Sequence, residues 1–269
     1  MVRRSLADLA GRLAALAVAL FVVVGPLSSL VIWSLAERWN WPSTLPQVMG
    51  LRYWSRMLTG DFLVPLQRGV FIAVIVTVLA LLFSVPLGYA LARLRFPGRI
   101  LILMAFLLPQ AFPQLPVFAS ATREFYRFGL AGTMPGVVLI HLVGALVFAV
   151  WTMTAVFRSI PGHLEEAAMN LGASRLKTFF TVALPLATPG LIASTLLVFL
   201  YSLDEFTGTL LVGSPFVLTL PVYMYRTSVG YELQVASIAA LILMLPGILL
   251  LVALERYMKA EYLSMFGRL

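Results

Sequence analysis

Residues 165–185 read EEAAMNLGASRLKTFFTVALP. The stretch carries Glu165, Glu166, Arg175 and Lys177, is split by Gly172 and ends at Leu184-Pro185, whereas long oily runs lie on both sides of it. Near a bilayer centre each charged residue costs about 2.5–3.5 kcal/mol, and each leucine or phenylalanine returns only about 0.3–0.6 kcal/mol. Four charges outweigh the few apolar side chains present. The stretch therefore reads as a loop held out of hydrocarbon, dividing two apolar segments.

That reading assumes a membrane protein, and the composition agrees. The chain has 269 residues, of which 61% are hydrophobic and 11% charged, with a mean hydropathy of +0.98. A soluble domain carries about 25% charged residues. The chain has no cysteine, which excludes disulfides and cysteine-based metal or redox centres. The net charge is +8, but 17 of the 19 basic residues are scattered arginines. Such charge sets membrane topology and does not point to nucleic acid.

A spanning helix needs about 20 mostly apolar residues. Charge-free runs of this order occur at 13–36, 69–92, 100–122, 128–157, 178–203 and 233–254. The fourth and fifth overshoot, which trims those spans to about 132–157 and 186–203 and leaves a loop at 158–185. The first run follows a basic start, as in a signal peptide. It exceeds the core of about 7–15 residues typical of one, so it reads as a retained helix. The expected fold is an all-α integral membrane protein, a single domain over 1–269 with six transmembrane helices. Prolines within these runs, Pro26, Pro86 and Pro246 among them, are compatible with spanning.

Six spans put both termini on one side. The tails, the 93–99 loop and the 158–177 segment hold Arg3, Arg4, Arg12, Arg93, Arg95, Arg99, Arg158, Arg175, Lys177, Arg256, Lys259 and Arg268. The opposite loops hold the other seven basic residues. The excess places the termini and the opening stretch in the cytoplasm.

Within this loop, Ser159 and Pro161 read as a helix start, with Glu165 and Glu166 early in that helix. Gly172 ends it, and Ser174 caps a second short helix containing Lys177 and Phe180. Pro185 closes the loop. Leu164, Ala167, Ala168 and Leu171 share one face at helical spacing, thinned by the paired alanines. Such a face fits either a groove on another protein or the chain's own helices.

The spacing of Glu166-Ala167-Ala168, three residues, Gly172, nine residues, then Val182-Ala183-Leu184-Pro185 resembles the EAA loop of ABC importer permeases. That pattern is E-A-A-x3-G-x9-I-x-L-P, and only Val182 departs from it. Its place between the fourth and fifth spans also matches, and the resemblance extends over the whole chain. It implies a type I permease fold whose loop is a coupling helix held by a cytoplasmic ATPase subunit. The docking positions implied are Glu166, Ala167, Ala168, Gly172, Leu184 and Pro185. The resemblance further implies an ABC ATPase dimer carrying ATP and Mg, a second permease subunit (a heterodimer rather than a homodimer) and an extracytoplasmic substrate-binding protein. Localisation would be the bacterial inner membrane, in contact with lipid and with no nucleic-acid partner.

The chain has no engine of its own. It lacks a G-x-x-x-x-G-K-[ST] loop, and His141, His163 and the acids show no metal-ligand spacing. It is therefore read as a non-enzymatic transport subunit that binds no cofactor. A secondary transporter would need intramembrane acids and internal repeats. The six spans have no acid in their interiors and show no clear repeat. A membrane enzyme would need clustered polar residues, and none cluster in the sequence.

Two places are candidates for the substrate path. In the third run, Pro109, Pro113 and Pro116 must bend or break a helix beside Gln110 and Gln114. This reads either as a cavity wall or as a packing kink. After the fifth run, Asp204 and Glu205 form a carboxylate pair able to attract a cation, or else are solvated loop residues. Ser202-Leu203-Asp204 with Thr219-Leu220-Pro221 resembles spermidine/putrescine permeases. Glu205-Phe206 with Leu220-Pro221-Val222 resembles carbohydrate permeases. The expectation leans to a polyamine-like substrate, with carbohydrate or another small solute as the alternative. His141, inside the fourth span, is either functional or bonded to nearby backbone.

Overall fold

A computed structural model describes residues 6–59 and 62–266. The basic residues Arg3, Arg4 and Arg268 of the orientation count lie outside this range. The chain divides into two compact units, 1–63 with 223–245 and 64–222 with 246–269.

The first unit contains α1 (Leu6–Leu35), a short antiparallel pair β1 (Ala36–Arg38) and β2 (Val48–Met49), and α2 (Arg52–Thr59). Pro26 lies inside α1 without ending it. Most of α1 from residue 11 onward is exposed apolar surface, as a lipid-facing helix requires. The strand pair and α2 fill the first loop, where the sequence reading assigned no structure. Glu37 holds this turn by accepting a hydrogen bond from the Arg52 N–H at 3.1 Å.

The second unit is organised around one helix. α3 (Leu63–Arg93) is followed by α4 (Arg99–Ala111), α5 (Gln114–Arg127) and α6 (Met134–Ser159). Thr133 caps α6, its Oγ1 accepting from the Gly136 N–H at 3.1 Å, and Pro135 occupies its first turn. α6 has the most buried side chains of these helices and contributes to each apolar cluster of the unit formed among the described residues. Ile72, Val76 and Ala80 of α3 meet Val137, Ala145 and Ala149 of α6 in the largest cluster. Glycine brings helices together, as is usual where lipid gives no hydrophobic drive to helix pairing. A Cβ on Gly88 of α3 would stand 2.8 Å from the Cβ of Met153 on α6.

The third expected span is two helices. α4 and α5 meet at 99°, broken at Phe112 and Pro113. Proline excludes the preceding residue from helical dihedrals, and Phe112 is extended at φ −113°, ψ 153°. The three prolines thus break the run and do not merely bend it.

The 158–185 loop departs from expectation at both ends. Ser159 closes α6, its hydroxyl donating to the Val156 carbonyl, and α7 (Gly162–Asn170) starts after Pro161. Ser159 is therefore not the cap of this short helix. α8 (Arg175–Thr178), a wide π turn at Phe179–Ala183 and α9 (Leu184–Leu186) form one helical run. Pro185 lies inside it and does not close it. Proline has no N–H to give, and the wide turn just before it takes up the mismatch. The break falls at Ala187, where the run meets α10 (Thr188–Asp204) at 71°.

A second π turn, Thr209–Gly213, leads to α11 (Leu220–Val229) and α12 (Leu233–Phe266), which contains Pro246. Among the described residues four helices are long and apolar enough to cross a membrane, or six segments if each bent pair is one span. The described residues are thus helical apart from one small strand pair and the connecting loops.

Candidate functional site: the α7–α8 loop and two polar clusters

The α7–α8 loop presents itself outward. Glu166 and Ala167 are exposed, Ala168 is half-buried, and Leu171 is 91% exposed. Glu166 makes no ion pair among the described residues. Gly172 sits at φ +90°, a backbone that side-chained residues rarely adopt. Its N–H donates to the Met169 carbonyl at 2.9 Å, and the Ala173 N–H donates to Ala168 at 3.1 Å. These are the paired bonds of a Schellman stop, which satisfy carbonyls that α7 would otherwise leave orphaned. Ser174 caps α8 as expected, accepting from the Lys177 N–H at 3.3 Å. Leu184 and Pro185, the far end of the motif, lie on α9.

The buried acid of this loop is Glu165, which the sequence reading did not single out. It is 5% exposed and the one buried residue of α7. Tyr89 Oη donates to it at 2.7 Å, Arg93 Nε donates at 2.7 Å, and Arg93 Nη2 pairs with it at 2.6 Å. Arg93 Nη2 also donates to the Ile160 carbonyl at 2.9 Å. A cavity of about 270 Å³ beside the triad is lined by Glu166, Met169 and Arg175 as well. No signal in the sequence pairs Arg93 with Glu165, since 72 residues separate them.

The second cluster lies between α6 and the end of α10. Asp204 and Glu205 do not act as a pair, because Asp204 is exposed and Glu205 is 5% exposed. Glu205 turns inward and accepts from the Gly208 N–H at 2.7 Å and the Thr209 N–H at 3.0 Å. It thereby caps the turn that follows it. His141 is fully buried, with Nδ1 2.9 Å from Ser202 Oγ and Nε2 2.7 Å from Thr209 Oγ1 and 3.2 Å from Glu205 Oε2. A neutral ring protonated on Nε2 satisfies all these contacts, with Ser202 donating to Nδ1 and Thr209 donating to Glu205. His141 is thus bonded to side chains, not to backbone. A carboxylate consumed in this way offers nothing to a cationic solute.

The 99° break separates the two amides of the third run. Gln110 is exposed on α4, and Gln114 is half-buried at the start of α5. Gln114 lies near Tyr201, whose buried hydroxyl has no hydrogen-bond partner of good geometry. Among the described residues no group of three metal-ligating side chains converges.

The fold and the loop define a polytopic membrane protein that presents a short helix–turn–helix after α6. The family described as binding-protein-dependent transport system inner membrane component matches residues 84–262, and the chain belongs to it. It is a membrane permease subunit of an ABC importer. It is similar to the trehalose transport system permease protein SugB of Mycobacterium tuberculosis, 31% identical over 90% of this chain and 93% of that protein. The diacetylchitobiose uptake system permease protein NgcG of Streptomyces coelicolor is 34% identical over 63% of this chain and 59% of that protein. Among solved structures, a bacterial ABC transporter involved in import of the acidic polysaccharide alginate shares the fold, with a TM-score of 0.72. That match has 22% identity and covers 96% of this chain and 99% of that one. These proteins are transport subunits, and no enzymatic family is indicated.

Proposed function

We propose that this chain forms half of the translocation path of a carbohydrate importer and receives its driving force through the α7–α8 loop. One observation carries the substrate class: nearly full-length similarity to a trehalose permease, at 31% identity. The leaning to polyamines, drawn from the Asp204–Glu205 carboxylates and the Ser202-Leu203-Asp204 likeness to spermidine/putrescine permeases, finds no support among the relatives. The buried, fully bonded Glu205 argues the same way. The Glu205-Phe206 and Leu220-Pro221-Val222 likeness to carbohydrate permeases is the better guide.

The loop is the docking site for a cytoplasmic ATPase that carries the ATP and Mg. Its support is the exposed Glu166-Ala167 face beside an apolar Leu171 left to solvent, which a groove on a partner would cover. In this reading each bent pair is one span, both termini are cytoplasmic, and a second, different permease completes the pore. An extracytoplasmic binding protein delivers the sugar.

A thermal-shift screen of the cognate binding protein against trehalose, other oligosaccharides and spermidine tests the substrate class. The expected result is stabilisation by a sugar and none by spermidine; the reverse overturns the carbohydrate reading. Co-purification tests the loop: the intact chain retains the ATPase, and deletion of 163–175 releases it.

A further inference from the structure

We propose that Glu165, Arg93 and Tyr89 are positioning residues that lock α7 to the end of α3, so that a pull on α7 moves α3 with it. The proposal rests on reading α7 as the docking helix and adds how displacement leaves it. α7 offers little apolar grip, because Glu165 is its one buried residue while Leu164 and Met169 remain 39% and 38% exposed. Its attachment depends on a polar joint instead.

That joint is built for direction. Two nitrogens of the planar Arg93 guanidinium converge on Glu165 Oε1 while Tyr89 Oη holds Oε2, so both carboxylate oxygens are engaged and the side chain is fixed in orientation as well as distance. One guanidinium nitrogen reaches both Glu165 and the Ile160 carbonyl, which ties α3 to α7 and to the connection from α6. Tyr89 adds the third contact, and its ring packs edge-on against Phe157 of α6 at 5.3 Å and Phe179 of the π turn at 4.8 Å. Apolar surfaces can slide, but a buried carboxylate with three donors cannot leave without orphaning itself. The other charged groups at this cavity are Glu166 and Arg175, both exposed and both on the loop itself.

The chain has no cysteine, so site-specific labels can be added without removing any. In the complete transporter, with its ATPase and binding protein in nanodiscs, spin labels at Leu94→Cys and His163→Cys report the separation of α3 from α7. With the joint intact, the separation is the same in the nucleotide-free and ATP–vanadate states. In Glu165→Ala and Arg93→Ala it shifts with nucleotide, and in Tyr89→Phe, which loses only a hydroxyl, it shifts less. The ATPase stays bound in all three, because these residues lie beneath the docking face. A separation that changes with nucleotide in the parent, or stays fixed in every variant, overturns the joint. Loss of the ATPase on Glu166→Arg reports the docking reading separately.

Discussion

His141 Nε2 lies 3.2 Å from Glu205 Oε2, although the two are far apart in the chain and neither is more than 5% exposed. Between them, the Thr209 hydroxyl lies 2.7 Å from the ring and donates to the carboxylate, and Ser202 bonds the other side of the ring. The cluster joins α6 to the turn after α10 through side chains alone. It sits where polar groups are expensive to leave unpaired.

Removing the ring should therefore be costly. We expect His141→Ala to strip the ring contacts from Thr209 and Glu205, which keep their bonds to each other, and to leave the Ser202 hydroxyl without its partner, at about 1–3 kcal/mol. Glu205→Gln keeps an acceptor for the Gly208 or Thr209 N–H and should cost less. Thermal unfolding of the purified chain in detergent checks the order. Equal melting temperatures for His141→Ala and the parent would refute it.

At the loop, Gly172→Val should strain the Schellman stop. An L residue in left-handed backbone costs about 1–2 kcal/mol, and a β-branched one gains nothing in return. The stop positions α8 relative to α7, so we expect ATP hydrolysis to persist while transport falls, with insertion unaffected. Hydrolysis and uptake measured in the same proteoliposomes decide it.

Glu166→Arg should behave differently. The side chain is exposed and makes no ion pair among the described residues, so stability should change by no more than about 0.5 kcal/mol. The ATPase should nevertheless be lost or weakened on co-purification. A stable variant that still holds its ATPase would remove Glu166 from the interface.

Gly144 tests the packing of the bundle. A Cβ there would run into the Tyr201 ring and hydroxyl, both on a helix facing α6. Gly144→Val should cost about 1–3 kcal/mol through overpacking. A melting temperature unchanged from the parent would show that Tyr201 has room to move.

Residue order alone determined much of this protein. Runs too apolar for water and a segment too charged for lipid fixed an all-helical membrane chain. Glu166, Ala167, Ala168 and Gly172 announced the loop, because a helix stop needs glycine at its left-handed position and the motif is contiguous. Proline announced that the third run could not stay straight. Tertiary structure decided which acids matter inside. Glu165 and Glu166 are neighbours of identical chemistry, yet helical rotation turns one toward Arg93 and Tyr89 and the other outward. Asp204 and Glu205 look like a pair, yet a helix end between them sends one to the surface and one to His141. Partners 61 to 76 residues away set these outcomes. A one-dimensional pattern records spacing along the chain, whereas burial and bonding depend on which helices the fold brings together.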